Sequence, residues 1–518
     1  MPALDVHRKA APGKLEIFLL RPPFSFFDFV EDRFGDFESI RRIFSLARSS
    51  QAETLILETI PACGIITEEN EDLLHLLPDY RNPGLLRISF WKAAITENAL
   101  QNLSSSDLVG YALFKHDQSS SANLNQWHVF EAVFGKYPHE HNCVPRPCVY
   151  ELGVAGQPLQ ISGLLYCQQN GLNKACAQVA LRSLLSRIIP EGDISYRRIN
   201  EIAAATTPGF RPWDGLNVPQ VRSILTCFGL EYRDVDYTQE DAAARHDLPY
   251  QKYVYAGLES GAGALVGFRL NGRDLQEEAK HIIPVYGHTF NKDTWVPNAE
   301  LAYFHIGEGV GYVPSESWTS SFLGHDDNFG PNFCIPRLYI EGDKADYVVE
   351  VFRPGIRYSG ILAEAIALNI LYSLLPSLDG APNRWIKRLF DWTAKQQVVF
   401  RAKAMTASEY VSHLEGLRDW EGQEENREFC ELLRRELPAY VWAVEISTPQ
   451  LFPANERKLG EIVLDATKEL NLQNGISEVF VFARLPETYL FGGDISDGTP
   501  RFTPVPSALQ SHTDLIRL

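Results

Sequence analysis

The stretch LYCQQNGLNKACAQVALRSLLSRI, residues 165–188, decides how the rest of the chain is read. It puts one thiol, Cys176, at the start of a helical repeat and three side-chain amides, Gln168, Gln169 and Asn170, just ahead of it. Thiolate rather than thiol is the nucleophile, and the positive end of a helix dipole stabilises an anion in the first turn. Asn173 is a candidate cap, which makes Cys176 the third position. Ala177, Ala180, Leu181, Leu184, Leu185 and Ile188 follow the helical period, while Arg182, Ser183, Ser186 and Arg187 fall on the other side. The spacing predicts a half-buried helix that ends at Pro190 and Gly192.

A chain of 518 residues is too long for one hydrophobic core. Its patterning divides it into an N-terminal α+β module (1–155), a central unit (156–338) and a C-terminal α+β module (339–518). In the first, short strands such as Thr54–Thr59 and His128–Phe134 alternate with helices such as Phe37–Arg48, and polar residues 118–123 read as a mobile loop. A strand pair (Cys148–Val154, Leu159–Tyr166) spans the boundary to the second and leads into the Cys176 helix. Helices Tyr196–Ala205, Val218–Phe228 and Tyr250–Ser260 follow, then strands Ala264–Leu270 and Ile282–Tyr286. The third mixes helices such as Ile361–Leu374 and Arg384–Lys395 with strands such as Tyr440–Ile446.

The net charge of −18 argues against a broad attraction to nucleic acid or anionic membrane. The apolar run from Gly360 to Pro376 is short for a bilayer and carries Glu364, so it is expected to be a buried helix. The first residues have neither an apolar core nor a small-residue cleavage site, so no signal peptide is expected there, and a cytoplasmic location follows by default. Eight scattered cysteines suggest free thiols rather than a disulfide framework.

A cysteine nucleophile needs an imidazole to take its proton, and the imidazole needs a third group to fix its orientation. His281 opens HIIPVYGHT (281–289), a strand that would hold the ring on a rigid element. Pro284 within it predicts an edge or a bulge. WTSSFLGHDDNFG (318–330) reads as a second strand running into an acidic pair, so Asp326 or Asp327 is the candidate orienting acid, with Asp293 as a competitor. The cluster HEHNCVPRPC (139–148) holds donor types suited to zinc, but its spacing is unlike the common His and Cys knuckles, and ProArgPro reads as a rigid loop. Gly261 to Gly263 lacks the downstream glycine and helix of a phosphate cradle. No metal or cofactor is expected.

Residues 164–335 resemble, in order, the papain-like cysteine peptidases, most of all their bacteriocin-processing (double-glycine leader) branch. CAQVAL (176–181) resembles the nucleophile helix and GLNVPQVRSILTCFGL (215–230) the helix before the β half. HIIPVYGH resembles the histidine strand, and DDNFG the turn carrying the third residue. The resemblance implies a papain-like domain flanked by two α+β modules, acting as a thiol hydrolase on a peptide or isopeptide bond of a protein or peptide substrate. It implies Gln169 as oxyanion-hole donor beside the Cys176 backbone amide. The family's glutamine lies six residues before the cysteine, where this chain has Asn170, so Gln168, Gln169 and Asn170 all stay open for that role. Acyl transfer or deamidation, as in transglutaminase-like relatives, would use the same triad. A papain-like scaffold without activity would use the fold alone.

Overall fold

Alternation of apolar residues builds the first sheet. Along Thr54–Thr59, Leu55 and Leu57 point into one apolar cluster and Ile56 into another, so both faces are covered. Five antiparallel strands, Leu15–Leu19, Thr54–Thr59, Arg81–Trp91, Leu108–Ser119 and Leu124–Phe134, follow one another in chain order. Helices Phe26–Phe34 and Glu38–Ser49 cover one face with a cluster of phenylalanines. The hairpin Cys148–Val154 and Gln157–Gly163, together with Val179 of the Cys176 helix, covers the other. The computed structural model describes residues 5–135, 142–144, 148–172, 175–238, 248–270, 279–290, 311–340, 345–378, 384–417, 427–452, 457–470, 478–486, 488–491 and 509–510.

Residues 118–123, expected as a mobile loop, form a hairpin turn instead. Ser121 donates to Asp79 from its backbone N–H (2.8 Å) and hydroxyl (2.6 Å), and Ser119 Oγ donates at 2.9 Å. These bonds hold the Asp79 carboxyl down at about 2.

The second sheet runs Gly330–Pro336, Thr319–Asp326, Ala279–Phe290, Gly263–Leu270, Ala345–Val351, Tyr232–Asp236, with Asn142–Cys143 pairing off this path to the third of these. Ala345–Val351, whose residues are buried throughout, joins this sheet although it lies beyond residue 338. Leu265 packs against the Cys176 helix side, while Ala264 and Val266 pack against helix Tyr250–Glu259 on the opposite face. Gly263 sits at φ +116°, where an added Cβ would lie 2.7 Å from Val285 O. Pro284 stands where pairing to Thr319–Asp326 stops, next to a register shift between Val285 and Gly287.

A third sheet is ordered Val313–Pro314, Val399–Thr406, Tyr440–Ser447, Gly460–Asp465, Phe480–Leu485, Thr488–Phe491. Helices Gly360–Leu378 and Arg384–Ala394 pack on one face, Ala407–Gly416 and Arg427–Glu436 on the other. Among the described residues no helix is long and apolar enough to cross a membrane. The seven cysteines whose side chains are described are free thiols.

The Cys176 helix spans Cys176–Leu185 and is buried on every side from Ala177 onward, not half exposed. The polar side of the helix is the reason. Arg182 donates to Glu131 (2.7 Å) and to Asp193 (3.0 Å), and Arg8 bonds the same two carboxylates at 2.8 and 2.5 Å. His7 Nε2 lies 2.9 Å from Glu131 Oε2, and Tyr111 OH donates to Oε1 at 2.9 Å. Burial opposes the charge on Glu131, but Arg8, His7 and Arg182 hold its carboxyl far below the ordinary range. Removing one partner from such a network strands the others without water. Glu131→Gln is therefore expected to lower the free energy of unfolding by about 3–5 kcal/mol, read from the midpoint and slope of a urea melt.

Candidate active site

Cys176 is the first residue of its helix, with Ala175 at the cap position and no side-chain cap. This is two positions nearer the positive end than a cap at Asn173 implies, and Asn173 lies outside the described residues. At this position the backbone N–H groups of the first turn have no partner within the helix. The thiol is partly exposed while the rest of the helix is buried.

His281 comes from strand Ala279–Phe290, which packs against the Cys176 helix. Its ring rests edge-on against Phe268, the residue opposite it in register, with centroids 5.4 Å apart. Through Nε2, His281 hydrogen-bonds to Asp326 Oδ1 at 3.2 Å. The Cys176 thiol lies near enough to the ring to raise the imidazole pKa. Asp327 Oδ1 is as near to Nε2, at 3.1 Å, yet it lies off the N–H axis. Among the described residues neither Asp327 oxygen accepts a hydrogen bond. Asp327 thus faces the imidazole as a charge, and Asp326 as an acceptor.

The turn that follows is tightly specified. Asp326 Oδ1 accepts the Asn328 N–H (2.9 Å), and Asn328 Nδ2 reaches within 3.4 Å of His281 Nε2. Gly330 has φ +111°, and a Cβ there would come within 2.8 Å of the Arg42 side chain. Arg42, on helix Glu38–Ser49 of the first module, donates to Asn332 O (2.8 Å) and Pro331 O (3.3 Å) and so clamps the turn.

Two large shifts follow from this geometry. Burial works against the imidazolium of His281, but hydrogen bonds to Asp326 and Cys176 and the charges of both aspartates outweigh it and raise the pKa to about 10. Burial, together with the charge of Asp326, pushes Asp327 up to about 6 in spite of His281.

The three amides ahead of Cys176 have different duties. Gln168 Oε1 accepts the Val129 N–H at 2.9 Å, which locks it to the first sheet. Asn170 donates to Glu69 (3.0 Å) and accepts from Leu172 N–H (3.0 Å), so both ends of its amide are engaged. Among the described residues the Gln169 amide has no partner, and its side chain lines a cavity together with Ala175.

No family model matches the chain, and no curated protein does. Among solved structures, UfSP from C. elegans is similar at 13% identity with a TM-score of 0.24, the match covering 42% of this chain and 35% of that one. The likeness is slight, and the site rests on its own geometry.

Among the described residues two groupings bring metal-donor types within 4.8 Å: His281 with Asp326 and Asp327, and His7 with Glu131 and Asp193. In the second, Arg8 and Arg182 already neutralise the carboxylates. Of the zinc-type cluster, His139, His141 and the Cys143 side chain lie outside the described residues, as does Asp293. Cys148 is described, with its thiol directed at Ser186 O and Arg187 O at the end of the Cys176 helix. Arg42, Asn328 and Glu131 escaped the sequence reading. Asn328 alone had a local signal, since it adjoins the acidic pair.

The imidazole pKa supplies a test. A raised histidine pKa contributes stability that is full below about 6.5, the unfolded value, and is lost as pH rises through about 10. Asp326→Asn should lower the His281 pKa more than Asp327→Asn does, because only Asp326 holds the hydrogen bond, as NMR titration of the ring will read. Denaturant melts at pH 7 and pH 10.5 should show the wild-type chain losing more stability across that interval than Asp326→Asn.

Proposed function

We propose that the chain is a papain-like thiol hydrolase that cleaves a peptide or isopeptide bond. The observation carrying this reading is that His281, on a strand packed against the Cys176 helix, bonds to Asp326 while the Cys176 thiol lies near enough to raise its pKa. Those three residues occur in the order Cys, His, Asp that the sequence resemblance requires.

In the reaction, Cys176 passes its proton to His281 and the thiolate attacks the scissile carbonyl carbon. The carbonyl oxygen takes up the negative charge, held by the Gln169 amide and the backbone N–H of Cys176. Collapse breaks the C–N bond, the imidazolium protonates the departing amine, and a thioester remains on Cys176. A water molecule gives its proton to His281 and adds to the thioester; the acid is released and the thiol recovers its proton. Asp326 holds the ring through Nε2 at each stage, and Asp327 adds negative charge that favours the imidazolium. The two flanking modules would then recruit substrate or gate access.

Cys176→Ala is expected to abolish cleavage, lowering kcat by at least about 10⁴-fold because no nucleophile remains. Iodoacetamide should label Cys176 faster than any other thiol near neutral pH, as peptide mass mapping reads. Equal labelling of all thiols favours an inactive scaffold. Mass analysis of a treated target separates the chemistries: a cut chain means hydrolysis, while a gain of one dalton or a crosslink means deamidation or acyl transfer.

A further inference from the structure

A cavity of 430 Å³ opens beside the nucleophile, bounded by Ala175 and Gln169 on one side and by helix Ile65–Leu76 of the first module on the other. Leu73 and Val179 form an apolar floor, and Trp213, 40% exposed, stands at the side. Carboxylates outnumber cations around it. Asp72 and Glu201 line the cavity, Glu68 and Glu71 flank it on the same helix as Asp72, and Arg197 is held by Asp72 at 2.8 Å and by Glu71 at 3.0 Å. Among the described residues Glu201 pairs with the exposed Arg198 alone, at 3.3 Å, a contact of little energy in water.

The independent sign of a ligand is Gln178. It is 1% exposed, and its Nε2 donates to Asn200 Oδ1 (3.3 Å) and Pro212 O (3.2 Å). That fixes the amide with Oε1 as a buried acceptor, which among the described residues has no partner. A buried acceptor left unsatisfied is costly, so the cavity calls for a donor. An apolar floor, an aromatic ring, surplus negative charge and a waiting carbonyl oxygen together describe a site for a long aliphatic stem with a cationic head.

We propose that this cavity takes an arginine or lysine side chain of the substrate, adjacent to the scissile bond. The inference rests on the thiol-hydrolase reading for the meaning of "scissile", but binding in the cavity does not require the chemistry. The stem lies on Leu73 and Val179, the head donates to Gln178 Oε1, and Glu201 and Asp72 supply the field.

The test uses two readouts on the full chain. Fluorescein-labelled peptides in which one arginine is scanned through the sequence, and matched peptides with uncharged citrulline in its place, are titrated into the Cys176→Ala protein by anisotropy. The best arginine peptide should bind about tenfold tighter than its citrulline partner, the scale of one charge-assisted hydrogen bond. Glu201→Arg, at an exposed position, should shrink that ratio at least about threefold, and added salt should shrink it further. The same peptides are then offered to the wild-type chain for cleavage. Arginine and citrulline peptides that bind alike, or that do not bind, overturn the cavity inference. So does a ratio that Glu201→Arg leaves unchanged. Preferential binding of arginine peptides with no cleavage of any peptide sustains the cavity and overturns the hydrolase reading instead.

Discussion

Glu131 is the point on which the arrangement depends. It is wholly buried, and it accepts from Arg8, Arg182 and Tyr111 with His7 beside it. A lone carboxylate in that place would be prohibitively costly, and so would either guanidinium. The groups are therefore obliged to meet, and in meeting they join the start of the chain, the first sheet, the Cys176 helix and the Asp193 loop. The helix lies where Arg182 reaches Glu131, and that sets where the first turn presents Cys176. The acid turn has the same dependence through Arg42 and the close approach at Gly330. Cys176 and the Asp326 turn are both referred to the first sheet.

With those parts fixed, the electrostatics of the site follow. Two neighbouring carboxylates share one imidazole, and only Asp326 lies on the N–H axis. Asp326 gives direction and Asp327 gives charge. One consequence is an imidazolium that persists to about pH 10; the other is a carboxyl at Asp327 that holds its proton up to about pH 6. A site of this kind is poised to hold charge on the histidine across neutral pH.

The elements that carry the proposed triad were legible because each has its own local signal. A helix start precedes Cys176, an apolar strand carries His281, and a strand end carries the acidic pair. Partnerships between distant residues were not legible. Arg182 and Ser183 lie on the polar side of an amphipathic pattern, and only the distant Glu131 and Asp193 turn that side into an interior one. Helix Ile65–Leu76 was missed for a similar reason: its inward stripe of Ile66, Glu69 and Leu73 contains a carboxylate, which Lys115 from another strand neutralises at 2.6 Å. The choice among three adjacent amides likewise turned on tertiary partners, since Val129 engages Gln168 and Glu69 engages Asn170.

The same helix shows why the first module is more than an appendage. Glu69 anchors the loop ahead of Cys176 through Asn170, while Leu73 and Asp72 form part of the cavity beside it. One short element thus aligns the amide-bearing loop and shapes the wall that a substrate would meet. Because Glu69 is satisfied from the sheet by Lys115, any shift of the helix relative to the sheet would disturb the loop and the cavity together. The cavity and the amide-bearing loop are thus tied together through a single buried ion pair, and the first module belongs to the proposed active site as much as the strands that carry His281 and Asp326.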